Sequence, residues 1–152
     1  MANRHLRVAA YAVCVDDGKV LLARWLGPDG KRWTMPGGGL HHDEDPCDAV
    51  HREVGEETGH TVEIERLLGI DTVRERTPRR LRRDRRFHGV RILYAARVTG
   101  GELRDETGGS TDRAAWIPLD EVPGLDRVPL VDIALALYAE RPPHGRLTAP
   151  AR

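Results

Sequence analysis

The stretch "GGGLHHDEDPCDAVHREVGEETGH", Gly37 to His60, sets a run of glycines just ahead of three closely spaced glutamates, Glu53, Glu56 and Glu57. Its middle reads as a helix with both ends marked. Asp45 suits the N-cap, Pro46 the first helical position and Gly59 the stop. Cys47, Val50, Val54 and Thr58 recur at helical spacing and give the helix a stripe for a core to cover. The glutamates are related by i, i+3 and i+4, so they share one face. Each like-charge pair at that spacing costs roughly 0.2–0.5 kcal/mol, and Gly55 in the same helix costs about 1 kcal/mol against alanine. These carboxylates border the apolar stripe, which turns them toward an edge or cleft where repulsion is less screened. A bound divalent cation removes the repulsion. Hard oxygens without cysteine or histidine partners suit Mg2+ or Mn2+, whose shell is usually completed by water and substrate phosphates.

Outward from the helix, the chain reads mainly as strands. "LRVAAYAVCVDD" and "KVLLARW" are strand-like runs joined by Asp17-Gly18, a strong hairpin signal. "GPDGKR" reads as a loop and "WTMPGGGL" as a short extended piece. Downstream, "TVEIERLLGIDTVRE" gives one or two strands and "HGVRILYAARVTG" another; "AAWIPLDEVPG" is a strand entering a helical turn, and "VPLVDIALALYAER" an amphipathic helix. Strands before and after a helix, with a closing helix, predict a mixed α/β fold. We expect one domain over residues 1–141 and a flexible tail over 142–152, where turn-forming residues dominate.

Composition narrows the partners. Charged residues make up 32% of the 152 but cancel to zero, so no global field points to DNA or a membrane. No apolar run is long enough to span a bilayer. Cys14 and Cys47 have neither metal-ligand nor redox spacing. A cytoplasmic protein, monomer or homodimer, is the expectation.

The spacing as a whole resembles the Nudix hydrolase family, of MutT-like type. Gly38, then Glu44, then Arg52-Glu53-Val54-Gly55-Glu56-Glu57-Thr58-Gly59 follow the Nudix box, which here covers the 23 residues from Gly38 to His60. His60 departs from the aliphatic residue that closes the box, which bears on local packing, and His41-His42 replaces an acidic residue usual in the loop. The resemblance implies an α/β/α sandwich and metal-dependent hydrolysis of a nucleoside diphosphate linked to another group. It implies that Glu53, Glu56, Glu57 and the Gly37 carbonyl hold Mg2+ or Mn2+. Glu53 and Glu57 are the catalytic candidates, with Glu53 favoured as base. Glu44 and Arg52 would pair to hold the loop on the helix. A nucleoside triphosphate, ADP-ribose or a similar small nucleotide fits this reading. A nucleotide-sensing module without catalysis and an enzyme acting on RNA ends are the alternatives.

Other constellations add candidates. Many Nudix enzymes take a further acid from the region of "GELRDETGGSTDRAAW", where Asp112 and Glu106 qualify. Arg24, Trp33 and His88 are candidates for substrate contact; Trp25 and Tyr94 could stack on a base or belong to the core. Eight arginines fall between residues 74 and 86. They read either as solvated surface or as a rim, including Arg79, Arg80, Arg82 and Arg83, that steers a polyanionic nucleotide or RNA.

Overall fold

A computed structural model describes residues 3–77 and 85–148. Arg79, Arg80, Arg82 and Arg83 lie outside the described residues, as do residues 149–152 of the C-terminal segment. The chain runs β1 (Asn3–Val13), β2 (Val15–Asp16), β3 (Lys19–Gly27), β4 (Gly30–Thr34), β5 (Gly37–Gly39), α1 (Pro46–Thr58), β6 (His60–Thr77), β7 (Arg85–Gly101), β8 (Thr111–Pro118) and α2 (Pro129–Glu140). A 3₁₀ turn, Val122–Gly124, follows β8.

The strands form two sheets. One has the order β5-β1-β7-β6; the other is built on β3, which pairs with β2, β4 and β8. β1 runs parallel to β7, while the remaining named pairings are antiparallel, so the fold is mixed α/β. Alternation along the strands feeds two cores. Ala10, Ala12 and Cys14 of the first strand region meet Ala49, Val50 and Val54 of α1. Tyr11 and Val13 point the other way, toward Leu130, Ala134 and Leu137 of α2. Leu21 joins the α1 side and Val20 and Leu22 the α2 side, so each helix covers residues from both sheets. The result is an α/β/α sandwich.

Two local readings change. The run 6–17 is not one strand: it divides at Cys14, with β1 entering one sheet and β2 the other. Asp17 and Gly18 do turn the chain, both at positive φ, but they join only Val15–Asp16 to the start of β3. Of the segment expected as a tail, residues 142–148 are described and lie against β6. There the Ile70 N–H donates to the Gly145 carbonyl at 2.9 Å, and Leu147 packs on the α2-side core. Among the described residues no helix is long and apolar enough to cross a membrane.

Candidate active site

α1 begins and ends where its sequence marks it. Asp45 accepts the Cys47 N–H at 2.8 Å, and Gly59, in the left-handed region, donates to Gly55 O. Val50 and Val54 anchor the helix in the core, which fixes the rotation of its glutamate face. β5 lies beside that face. Gly37 has φ 147, and a Cβ there would meet Ala10 O at 2.3 Å, so only glycine fits. Its N–H donates to Glu57 Oε2 at 3.1 Å. A Cβ on Gly38 would stand 2.7 Å from Glu53 Oε1, so the bare backbone of β5 leaves room for both carboxylates.

The three glutamates differ in setting. Glu57 is 2% exposed, Glu53 is partly buried, and Glu56 lies at the surface. Burial pushes the Glu57 carboxyl up to about 9; the Gly37 N–H opposes this, and Glu53, Glu106 and Glu56 add to it. Burial also raises Glu53, against the pull of Arg52 and with reinforcement from Glu56 and Glu106. The cluster is therefore held at an electrostatic cost.

Arg52 ties the loop to the helix. Its Nε and Nη2 donate to Glu44 at 2.8 and 2.9 Å, Nη2 also reaches Gly39 O at 3.2 Å, and Nη1 donates to Glu53 at 2.8 Å. Glu44 in turn accepts the His41 N–H at 2.8 Å, closing the loop. These bonds hold the Glu44 carboxyl down at about 2, with the Arg52 side chain the largest cause.

The two extra acids separate. Glu106 accepts from the Thr111 N–H at 3.1 Å and its hydroxyl at 2.6 Å, and is near enough to raise both Glu53 and Glu57. Asp112 is engaged elsewhere: Arg24 grips it at 2.9 and 3.0 Å and Lys31 at 2.7 Å, holding its carboxyl well below the usual range. Asp112 therefore stands outside the carboxylate cluster, and with it Arg24.

A cleft of about 560 Å³ opens beside Glu53 and Glu57. Arg7, Tyr11 and Arg91 line its floor from β1 and β7, and Trp25 and Arg32 its wall from β3 and β4. Arg91 is paired with Asp71. Arg7 makes no ion pair with the described acids, and a Cβ on Gly39 would meet its Nε at 2.9 Å. The expected contacts Trp33 and His88 are not among the lining residues: Trp33 lies between the Arg24 and Arg113 guanidiniums at 5.9 and 5.8 Å. Trp25 lines the cleft instead, and Tyr94 packs on the α1-side core. Arg7 and Arg91 escaped the sequence reading, although Arg7 stands in series with Ala9, Tyr11 and Val13, a charge in a row of inward-facing residues.

His60, where an aliphatic residue was expected, is buried. Its Nδ1 lies 3.2 Å from Gly100 O, its ring tilts against Trp116 at 6.0 Å, and its Nε2 has no partner among the described residues. It fills the apolar position and packs beside Trp116.

The donor set fits a hard divalent cation in kind: oxygen ligands, mutual repulsion, and a buried carboxyl with one backbone donor. As the side chains stand, Glu53 is turned to Arg52, and no three acidic, histidine or cysteine groups among the described residues are gathered at ligand distance.

A family model described as NUDIX domain matches residues 3–137. The chain is 32% identical to an ADP-ribose pyrophosphatase of Methanocaldococcus jannaschii, over 80% of this chain and 67% of the relative. It is 35% identical to an RNA pyrophosphohydrolase of Halorhodospira halophila, over 72% of this chain and 67% of the relative. Among solved structures, a NUDIX hydrolase from Nitrosomonas europaea superposes with a TM-score of 0.72 at 28% identity, covering 90% of each chain.

Proposed function

The chain belongs to the NUDIX domain family, and from that membership we propose that it is a metal-dependent hydrolase of a pyrophosphate bond in a nucleoside diphosphate linked to another group. The observation that carries the reading is the carboxylate face beside a cleft that Arg7, Arg32 and Arg91 also line, with the buried Glu57 seated on the Gly37 N–H. Glu53, Glu56, Glu57 and the Gly37 carbonyl would hold Mg2+ or Mn2+. When bound, such a cation neutralises phosphate charge and makes water a better nucleophile at neutral pH.

The chain's own residues supply the rest. Arg7, which makes no ion pair among the described residues, offers its guanidinium for phosphate oxygens within the same cleft as the acids. Tyr11 and Trp25 give the cleft aromatic surface for a base or sugar. Glu53, raised by burial and neighbouring acids, is the proton acceptor we favour for the attacking water. Glu106, oriented by Thr111, is the second candidate for that task. Arg52 and Glu44 position the loop and do not react. Phosphoryl transfer needs chiefly positioning and charge stabilisation, which this arrangement provides.

The substrate reading is supported by relatives named as an ADP-ribose pyrophosphatase and an RNA pyrophosphohydrolase. A panel of nucleoside triphosphates, ADP-ribose, dinucleoside polyphosphates and 5′-triphosphate RNA, assayed for phosphate, pyrophosphate or mononucleotide release with Mg2+, tests it. Turnover of at least one, abolished by chelation, is the expected result. No release from any, by folded protein loaded with metal, overturns it in favour of a nucleotide-sensing role.

A further inference from the structure

The end of the sheet remote from the glutamates carries an arrangement that mirrors theirs with opposite sign. β1, β7 and β6 pair there in continuous register, and cross-strand neighbours share a face. Arg4, Arg86 and Arg76 stand in one row, and Leu6, His88 and Arg74 in the next. Arg7, Gly89 and Val73, the row that follows, line the catalytic cleft. Strand alternation therefore puts the two arginine-bearing rows on the reverse face of the sheet.

These six residues line a cavity of about 570 Å³ together with His5, Glu75 and Phe87, the last two of which also border the carboxylate cleft. Glu75 is the acid among its lining residues, and it stands out of step with both rows, level with His5 and Phe87. Like charges directly opposite one another destabilise a strand pair. Here the register brings arginines together at one end of the sheet, and Arg4, Arg74 and Arg76 make no ion pair among the described residues. An anion supplied from outside would satisfy those three guanidiniums.

We propose that this arginine-lined cavity is a binding site for the phosphodiester backbone of single-stranded nucleic acid, bordering the carboxylate cleft but outside its cluster of acids. Guanidiniums take phosphate oxygens in paired hydrogen bonds and also stack on bases. Leu6, 62% exposed, and the His88 ring offer flat or apolar surface beside them, as sequence-tolerant strand binding requires. A lipid surface is the weaker fit, because the residues form a concavity and carry one aliphatic side chain rather than an inserting apolar row. The site anchors a long polyanion without touching the reacting group, so it stands independently of the chemistry at Glu53 and Glu57.

The test uses the full chain and a labelled RNA 12-mer with a 5′-hydroxyl end, which offers no pyrophosphate to cleave, followed by fluorescence anisotropy across a salt series. Wild type should bind at low salt and weaken as salt rises. The triple variant R4Q/R74Q/R76Q should bind at least about tenfold more weakly, and its log–log salt slope should fall by about 2, the share of three phosphate contacts on a single strand. The charge-preserving R4K/R74K/R76K should retain most of the affinity, which separates lost charge from lost fold. Hydrolysis of a small nucleotide by the glutamine variant should stay at the wild-type rate. A glutamine variant that binds RNA with wild-type affinity and slope overturns the proposal. So does a wild type that ignores the oligomer but sediments with phosphatidylglycerol vesicles. Loss of small-nucleotide hydrolysis alongside RNA binding would also overturn it, by placing these arginines in the cleft.

Discussion

The Gly37 N–H donates to Glu57 Oε2 at 3.1 Å, joining a position that tolerates only glycine to an almost fully buried acid. This contact seats a carboxyl in a low-dielectric pocket near three other acids, Glu53, Glu106 and Glu56. Such a group is a poor contributor to stability and a good cation ligand. Glu57→Gln should therefore keep the metal-free Tm within about 3 °C of wild type, while turnover falls by about a hundredfold or more. Differential scanning calorimetry in chelator, paired with steady-state kinetics in Mg2+, checks both halves.

Gly38 makes a sharper test of geometry. A Cβ at that position would stand 2.7 Å from Glu53 Oε1, a contact that the flexible carboxylate relieves by moving. Gly38→Ala should lower kcat by about tenfold to a hundredfold, since displacement by an ångström is that costly in a positioned site. The melting temperature should change little. Wild-type kcat in the alanine variant would show that the observed placement of Glu53 does not matter.

The loop clasp predicts an acid-sensitive stability. The Glu44 carboxyl is held at about 2, below its ordinary value, by Arg52 and the His41 N–H. A carboxyl depressed in the folded state stabilises above its unfolded pKa of roughly 4.3 and loses that contribution as pH falls toward the folded value. The Tm of wild type should accordingly drop between about pH 4.5 and 2 more steeply than that of Glu44→Gln. Arg52→Ala should unfold about 5 °C lower at neutral pH and lose activity through the loosened loop. Equal acid profiles for wild type and Glu44→Gln would remove the clasp from the account.

Glu106 and Asp112 should part company on substitution. Glu106→Gln, at the carboxylate cluster, should reduce kcat by at least about tenfold, and Thr111→Val should give a milder form of the same defect. Asp112→Asn leaves Arg24 and Lys31 without their acid, so its effect should fall on Tm while kcat stays near wild type. The opposite pattern would exchange the two assignments.

What the sequence discloses follows from range. α1 is legible because its cap, its proline, its stop and its glutamate spacing are all local. The same locality makes the Arg52–Glu44 clasp readable, its partners lying eight residues apart. The division at Cys14 is not readable, because it depends on β7, about eighty residues downstream, drawing β1 into the other sheet. Arg7 and Arg91 face the cleft only once β1 and β7 pair in this register. Arg24 and Asp112 look like separate candidates until the β3–β8 pairing shows that they neutralise each other.

The central claim is that the glutamate face exists to hold a divalent cation. Electron paramagnetic resonance of free Mn2+, titrated with metal-stripped protein, measures this directly. Wild type should remove Mn2+ from the free signal, and a folded Glu53→Gln/Glu56→Gln/Glu57→Gln variant should leave it untouched. Equal depletion of Mn2+ by both proteins would contradict the account.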